Sequence, residues 1–140
     1  PLTAASAGLD KMRASSGSLA LAMLLSDDGF EAVRTPATNA TDGRFASMAS
    51  AVQALGEAVV AELDAGTGSA VIVQATQGFA LLVRVPGQPY VVAAHFLTGD
   101  SLGTAVVLVR TAAEEIAEAI TALAAPRMAP RYSAPIVSAS

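Results

Sequence analysis

His95 is the only histidine in this 140-residue chain, and there is no cysteine. A catalytic triad or a zinc site needs His95 to have partners of the right type: a second imidazole, a thiolate or converging carboxylates. None is visible, and His95 lies between Ala94 and Phe96 in an apolar run, so it reads as a packed, hydrogen-bonded histidine. Asp27 and Asp28 are adjacent, which in a turn sends their carboxylates apart, and no acidic residues follow at calcium-loop spacing. They read as turn residues. Gly66-Thr67-Gly68-Ser69 is glycine-rich like a phosphate loop, but it lacks the lysine. It also leads from a helix into a strand, the reverse of a phosphate-binding helix N-terminus. Asn39-Ala40-Thr41 matches a glycosylation acceptor without a secretory signal to give it meaning. Zero cysteines exclude disulfides, iron–sulfur clusters and thiol catalysis. The expectation is a chain that is not an enzyme and holds neither cofactor nor metal. Glu114, Glu115 and Glu118 form an acidic strip, by default a solvated helix face and alternatively a docking surface for a basic partner. Arg127 and Arg131 read as solubilising charges.

Composition points to assembly rather than chemistry. Hydrophobic residues make up 53% and charged residues 14%, against a usual quarter. A charge-poor surface implies that contact with another chain covers part of it, although alanine accounts for some of the excess. A net charge of −4, with eight Lys and Arg residues in no cluster, argues against nucleic acid. No apolar run reaches the ~18 residues of a membrane span. Pro1 to Asp10 lacks the basic and apolar regions of a signal peptide, so a cytoplasmic location is expected.

The elements follow from periodicity. Leu2, Ala5, Leu9 and Met12 keep helical spacing up to Arg13. Ser18 to Leu25 is apolar on both faces, as in a central strand covered on both sides. Asp28-Gly29 is a hairpin turn signal, and Phe30 to Arg34 returns as an edge strand with Glu31 and Arg34. After a loop at Pro36, Thr41 or Asp42 caps a helix that reaches Asp64. Its apolar stripe, Phe45, Met48, Ala49, Val52, Leu55, Val59 and Leu63, reads as the side that holds its own sheet. Its other side, Ser47, Ala51, Ala54, Ala58 and Ala61, is small and uncharged and suits close packing against a second helix. Ser69 to Ala75 and Phe79 to Val85 form a second hairpin around Gly78, and Tyr90 to Leu97 is a fifth strand. Leu102 to Leu123 then keeps a helical stripe. Val106 to Val109 is also readable as a sixth strand, but the unbroken stripe favours one long helix. From Pro126 the apolar pattern stops, so residues 1–125 form the domain and 126–140 a disordered Pro- and Ser-rich tail. The fold class is α+β in the order α-β-β-α-β-β-β-α, a five-stranded antiparallel sheet with helices on both faces.

This order, together with three stretches, resembles the Roadblock/dynein light-chain family over roughly Leu9 to Leu123. The stretches are Leu19 to Phe30 ending in Asp28-Gly29-Phe30, the helix Phe45 to Leu63 leading into Ala70-Val71-Ile72-Val73-Gln74, and Leu102-Gly103 before Ala112-Ala113-Glu114-Glu115-Ile116. The resemblance implies strand order 2-1-5-4-3, with the middle helix on one face and the other two helices on the opposite face. It implies a dimer made by pairing third strands and setting middle helices side by side. Here that interface would use Val71, Ile72 and Val73 with Ser47, Ala51, Ala54, Ala58 and Ala61. Bacterial members of the family are regulators and partners of small Ras-like GTPases. The chain departs from the family pattern in its Pro-rich tail and in the few charges on its middle helix.

The leading expectation is therefore a cytoplasmic homodimer that regulates or scaffolds a small GTPase. The alternatives are a structural light-chain scaffold and a small-ligand sensory domain, the latter needing an apolar pocket with convergent polar groups.

Overall fold

Eight uncharged residues, Leu19–Ser26, form β1 and leave that strand no solvent face. Ala22 and Leu24 enter one core while Leu21, Met23 and Leu25 enter another, as alternation requires of a central strand, and an irregularity between Leu19 and Leu21 turns Leu19 into the first core. The computed structural model describes residues 2–37, 43–67 and 70–139, with residues 2 and 124–139 described by backbone alone. Around β1 stand α1 (Leu2–Ser15), β2 (Glu31–Thr35), α2 (Arg44–Glu62), β3 (Ala70–Ala75), β4 (Gly78–Arg84), β5 (Tyr90–Phe96) and α3 (Leu102–Ala139). This is the expected α-β-β-α-β-β-β-α order. The strands make one antiparallel sheet, β2-β1-β5-β4-β3, so β2 and β3 are its edges.

The Asp28-Gly29 signal is a turn: Gly29 takes φ +88°, and the Ser26 amide donates to the Phe30 carbonyl at 2.9 Å. On β2, Arg34 and Glu31 pair along the edge. Ser101 caps α3 by accepting from the Thr104 amide at 3.1 Å. Behind it, Ala105, Val109, Ala112 and Ile116 are buried at helical spacing, so Val106 to Val109 is helix and not a sixth strand. Ser16 donates to the Asp100 carboxylate, tying the turn after α1 to the loop before α3. The Ser16 bond, and with it one from Ser18, holds that carboxyl below its ordinary range.

The expected break at Pro126 is not in the backbone, since α3 stays helical to Ala139 through Pro126, Pro130 and Pro135. Proline disfavours a helix interior, but alanine and other good helix formers flank these positions. Arg127 and Arg131 lie where only the backbone is described.

The two sides of the sheet are filled unequally. On one, α1 and α3 bring Leu9, Met12, Val109 and Ile116 against Leu24, Leu81, Val92 and Phe96. On the other, the only apolar side chains that α2 buries are Ala46 and Ala49, with Phe45 half-buried, against Leu21, Met23, Leu25, Leu82, Val91 and Ala93.

Candidate functional site

The thin core under α2 follows from which stripe of that helix faces the sheet. Ala46, Ala49 and Gln53 are its buried residues, and Gly56 continues the same three-and-four spacing. Small residues bring the helix close to the strands: a Cβ on Gly56 would stand 2.6 Å from Val71 Cγ2. With the helix this low, bulky side chains have no room beneath it. Met48, Leu55, Val59 and Leu63 turn outward and are 53%, 61%, 55% and 69% exposed, and Val52 is exposed beside them. Of the expected stripe only Phe45 and Ala49 face the sheet, which corrects the expectation for the other five residues. Val52 and Val59 stand four residues before and three after Gly56, the point of contact with Val71, so the outward stripe lies along the β3 side of the helix.

β3 is the sheet's last strand, and beyond it no described strand pairs. Val71 is half-buried against α2, while Ile72 and Val73 are exposed. Alternation puts Val71 and Val73 on the α2 face of the sheet and Ile72 on the other. The outcome is an apolar band in which the outward α2 stripe lies beside Val73, with Ile72 on the opposite face of the same open edge. Single exposed apolar residues are ordinary, whereas a band of this kind marks an interaction surface. Ser47, Ala51, Ala54, Ala58 and Ala61 are exposed as well, further round α2 from this band.

On the other flank of α2 lies a polar network that sequence spacing does not reveal. Arg84 of β4 donates through Nε to Glu57 Oε2 at 2.7 Å, and through Nη1 to Asp27 Oδ1 at 2.9 Å. The Arg84 hydrogen bond, reinforced by Gln53 and opposed by burial, holds the Glu57 carboxyl below its ordinary range. Glu57 and Asp27 in turn make Arg84 hold its proton more tightly. Asp27 is therefore an ion-pair partner as well as a turn residue.

The remaining candidates are placed as follows. His95 is exposed on the α2 face of β5, beyond the part of the sheet that α2 covers, so the expectation of a packed histidine is corrected. Residues 38–42, the expected helix cap among them, lie outside the described residues, as do Gly68 and Ser69. Glu114, Glu115 and Glu118 are exposed on α3, and Glu115 pairs with Lys11 at 3.0 Å. Among the described residues no group of three His, Asp or Glu residues is placed to hold a metal ion, and no helix is long and apolar enough to cross a membrane.

No protein-family model matches the sequence, and no curated protein matches it. Solved structures do match. A Roadblock/LC7 domain from Streptomyces avermitilis is 14% identical, with 83% of this chain and 97% of that one covered at a TM-score of 0.74. MglB from Myxococcus xanthus is 15% identical, with 87% and 91% covered at 0.75. The gliding protein MglB from Thermus thermophilus is 18% identical, with 84% and 89% covered at 0.72. The chain has the Roadblock/LC7 fold.

Proposed function

We propose that two copies of this chain join through α2 and β3, and that the dimer is a non-catalytic cytoplasmic partner and regulator of a small Ras-like GTPase. The observation that carries this reading is the apolar band of Met48, Val52, Leu55, Val59 and Leu63 beside the unpaired edge at Val71, Ile72 and Val73. A two-fold axis beside β3 lets the same strand from each copy complete the other's open edge, and brings the two apolar stripes together. That arrangement answers both liabilities at once. In it, Ser47, Ala51, Ala54, Ala58 and Ala61 flank the contact rather than form its centre. The GTPase comes from the family resemblance, and the exposed carboxylates Glu114 and Glu118 are the surface proposed for a basic patch of that partner.

The test is retention of Ras-like GTPases from the native host on the immobilised chain, with extract loaded with a GTP analogue or with GDP. The expected result is retention that favours one nucleotide state and is lost with Leu55→Glu. Retention indifferent to nucleotide favours a scaffold, and no retained GTPase ends the GTPase reading.

A further inference from the structure

The α2 face of the sheet carries two neighbouring cross-strand rows, and α2 covers one of them. Val71, Leu82, Ala93 and Met23 lie in register beneath the helix. Val73, Ala80, His95 and Leu21 make the next row, two residues further along the strands. Leu21 is buried and Ala80 half-buried, but Val73 and His95 are exposed. The imidazole stands among small and apolar side chains that the subunit's own helix leaves open.

α2 is long enough to reach that row in a second copy. It crosses the strands: Ser47 and Ser50 lie by Gly29 of the first hairpin, and Gly56 meets Val71 on the edge strand. From Gly56 the helix runs seven residues further to its cap at Leu63, about 10 Å. With strands about 4.8 Å apart, that overhang spans two strands beyond β3. A two-fold axis beside β3 sets the Ala70 end of one copy against the Ala75 end of the other. The overhang then covers Val73 and Ala80 of the second copy, and Asp64 arrives beside its His95.

The helix end so delivered is negative. Glu62 and Asp64 close α2 with no basic residue in its last turn, although a helix C-terminus favours cations. Asp64 takes φ +52°, the only positive φ of a non-glycine among the described residues, at a position where Gly or Asn is usual. Its amide donates to the Ala61 carbonyl at 3.1 Å, and its carboxylate is exposed. Elsewhere around His95 the described charges are distant or engaged. β1 and β3 carry none, and Tyr90 of β5 and Arg84 of β4 stand at the far ends of their strands. Arg84 is held by Glu57 and Asp27, and Arg34 pairs with Glu31 on β2. Asp100, past β5, accepts from Ser16 and Ser18. Arg44 opens α2 at the end opposite Asp64.

Given the α2–β3 dimer, on which this reading rests, we infer that His95 of each copy receives the acidic end of the other's α2 at Asp64, and that protonation of His95 tightens the pair.

Sedimentation equilibrium at pH 8 and pH 5.5, at constant ionic strength, tests it. His95 is the only histidine, and imidazole changes charge over this range. Two symmetric contacts, each worth about threefold, should lower the dimer Kd about tenfold at the acid pH. His95→Gln should abolish that dependence. Asp64→Asn should abolish it too, and it keeps the left-handed turn, which Asn adopts readily. The second variant separates a local contact from the general loss of negative charge that any histidine proton brings. A tenfold change that survives in Asp64→Asn overturns the inference, as does a parent Kd equal at the two pH values. Leu55→Ala tells the two possible failures apart. A dimer that it weakens but pH does not affect keeps the α2–β3 interface and ends only the His95 contact, whereas a chain monomeric at every concentration ends both.

Discussion

Leu55→Ala separates self-association from folding, because Leu55 is 61% exposed in the single subunit. The substitution removes three carbons, worth ~0.8 kcal/mol each when taken fully out of water. Scaled by that exposure, pairing two copies forfeits ~1.5 kcal/mol per subunit. The two-fold axis counts the loss twice, ~3 kcal/mol per dimer, which raises the dimer Kd roughly a hundredfold at 1.4 kcal/mol per tenfold. Subunit stability should change by less than ~0.5 kcal/mol, as for other surface substitutions. Sedimentation equilibrium over a dilution series measures the Kd, and urea denaturation of the monomeric species measures the second quantity. Val107, 64% exposed on α3, supplies the control: Val107→Ala should leave the Kd unchanged. An unchanged Kd for Leu55→Ala, or an equal effect from Val107→Ala, refutes the placement of the interface.

Other perturbations address the fold around this surface. Gly56→Ala adds a Cβ that would stand 2.6 Å from the stiff branched Val71, so an overpacking cost of about 1–3 kcal/mol outweighs a helix-propensity gain of about 1 kcal/mol. The thermal midpoint should fall, and Gly56→Ala with Val71→Ala should recover it. Because Arg84 lowers the folded-state pKa of Glu57, the stabilisation is present above the unfolded value of about 4.3 and is lost as pH falls through the lower folded value. The urea midpoint should therefore drop more steeply between about pH 5 and pH 3 in the parent chain than in Glu57→Gln, and equal slopes would refute the pairing. We propose that the domain ends near Ala125. Deleting residues 126–140 should leave the thermal midpoint and the dimer Kd unchanged, whereas a drop of several degrees would make the end of α3 part of the fold.

Much of the architecture was legible because each strand and helix declares its own period. The two-sided apolar run Leu19 to Leu25 has to be central, and Asp28-Gly29 has to turn. The face of α2 was not legible, because that helix carries two competing stripes at the same spacing. One is bulky, through Met48, Val52, Leu55 and Val59. The other is small, through Ala46, Ala49, Gln53 and Gly56. Hydrophobicity favours burying the first. Strand side chains decide otherwise, since Met23, Leu25, Leu82 and Val71 fill the layer and leave space for small residues only. The outward position of His95 depends on where α2 stops covering the sheet, which no local pattern in β5 records. Asp27, Gln53, Glu57 and Arg84 meet from the first hairpin, α2 and β4, and nothing in their sequence spacing announces that meeting. The valine-rich run Val106 to Val109 shows the opposite case, where the buried spacing of Ala105, Val109, Ala112 and Ile116 outweighs strand propensity.

Amide hydrogen exchange along β3 tests most directly the claim that the sheet continues into a second copy. The amides of Ala70–Ala75 that point away from β4 should be protected well above the dimer Kd. They should exchange freely on dilution or in Leu55→Glu, while the outward amides of β2, the opposite edge, exchange freely throughout. Fast exchange of the outward β3 amides in a sample that sediments as a dimer, or protection at β2 instead, would contradict the account.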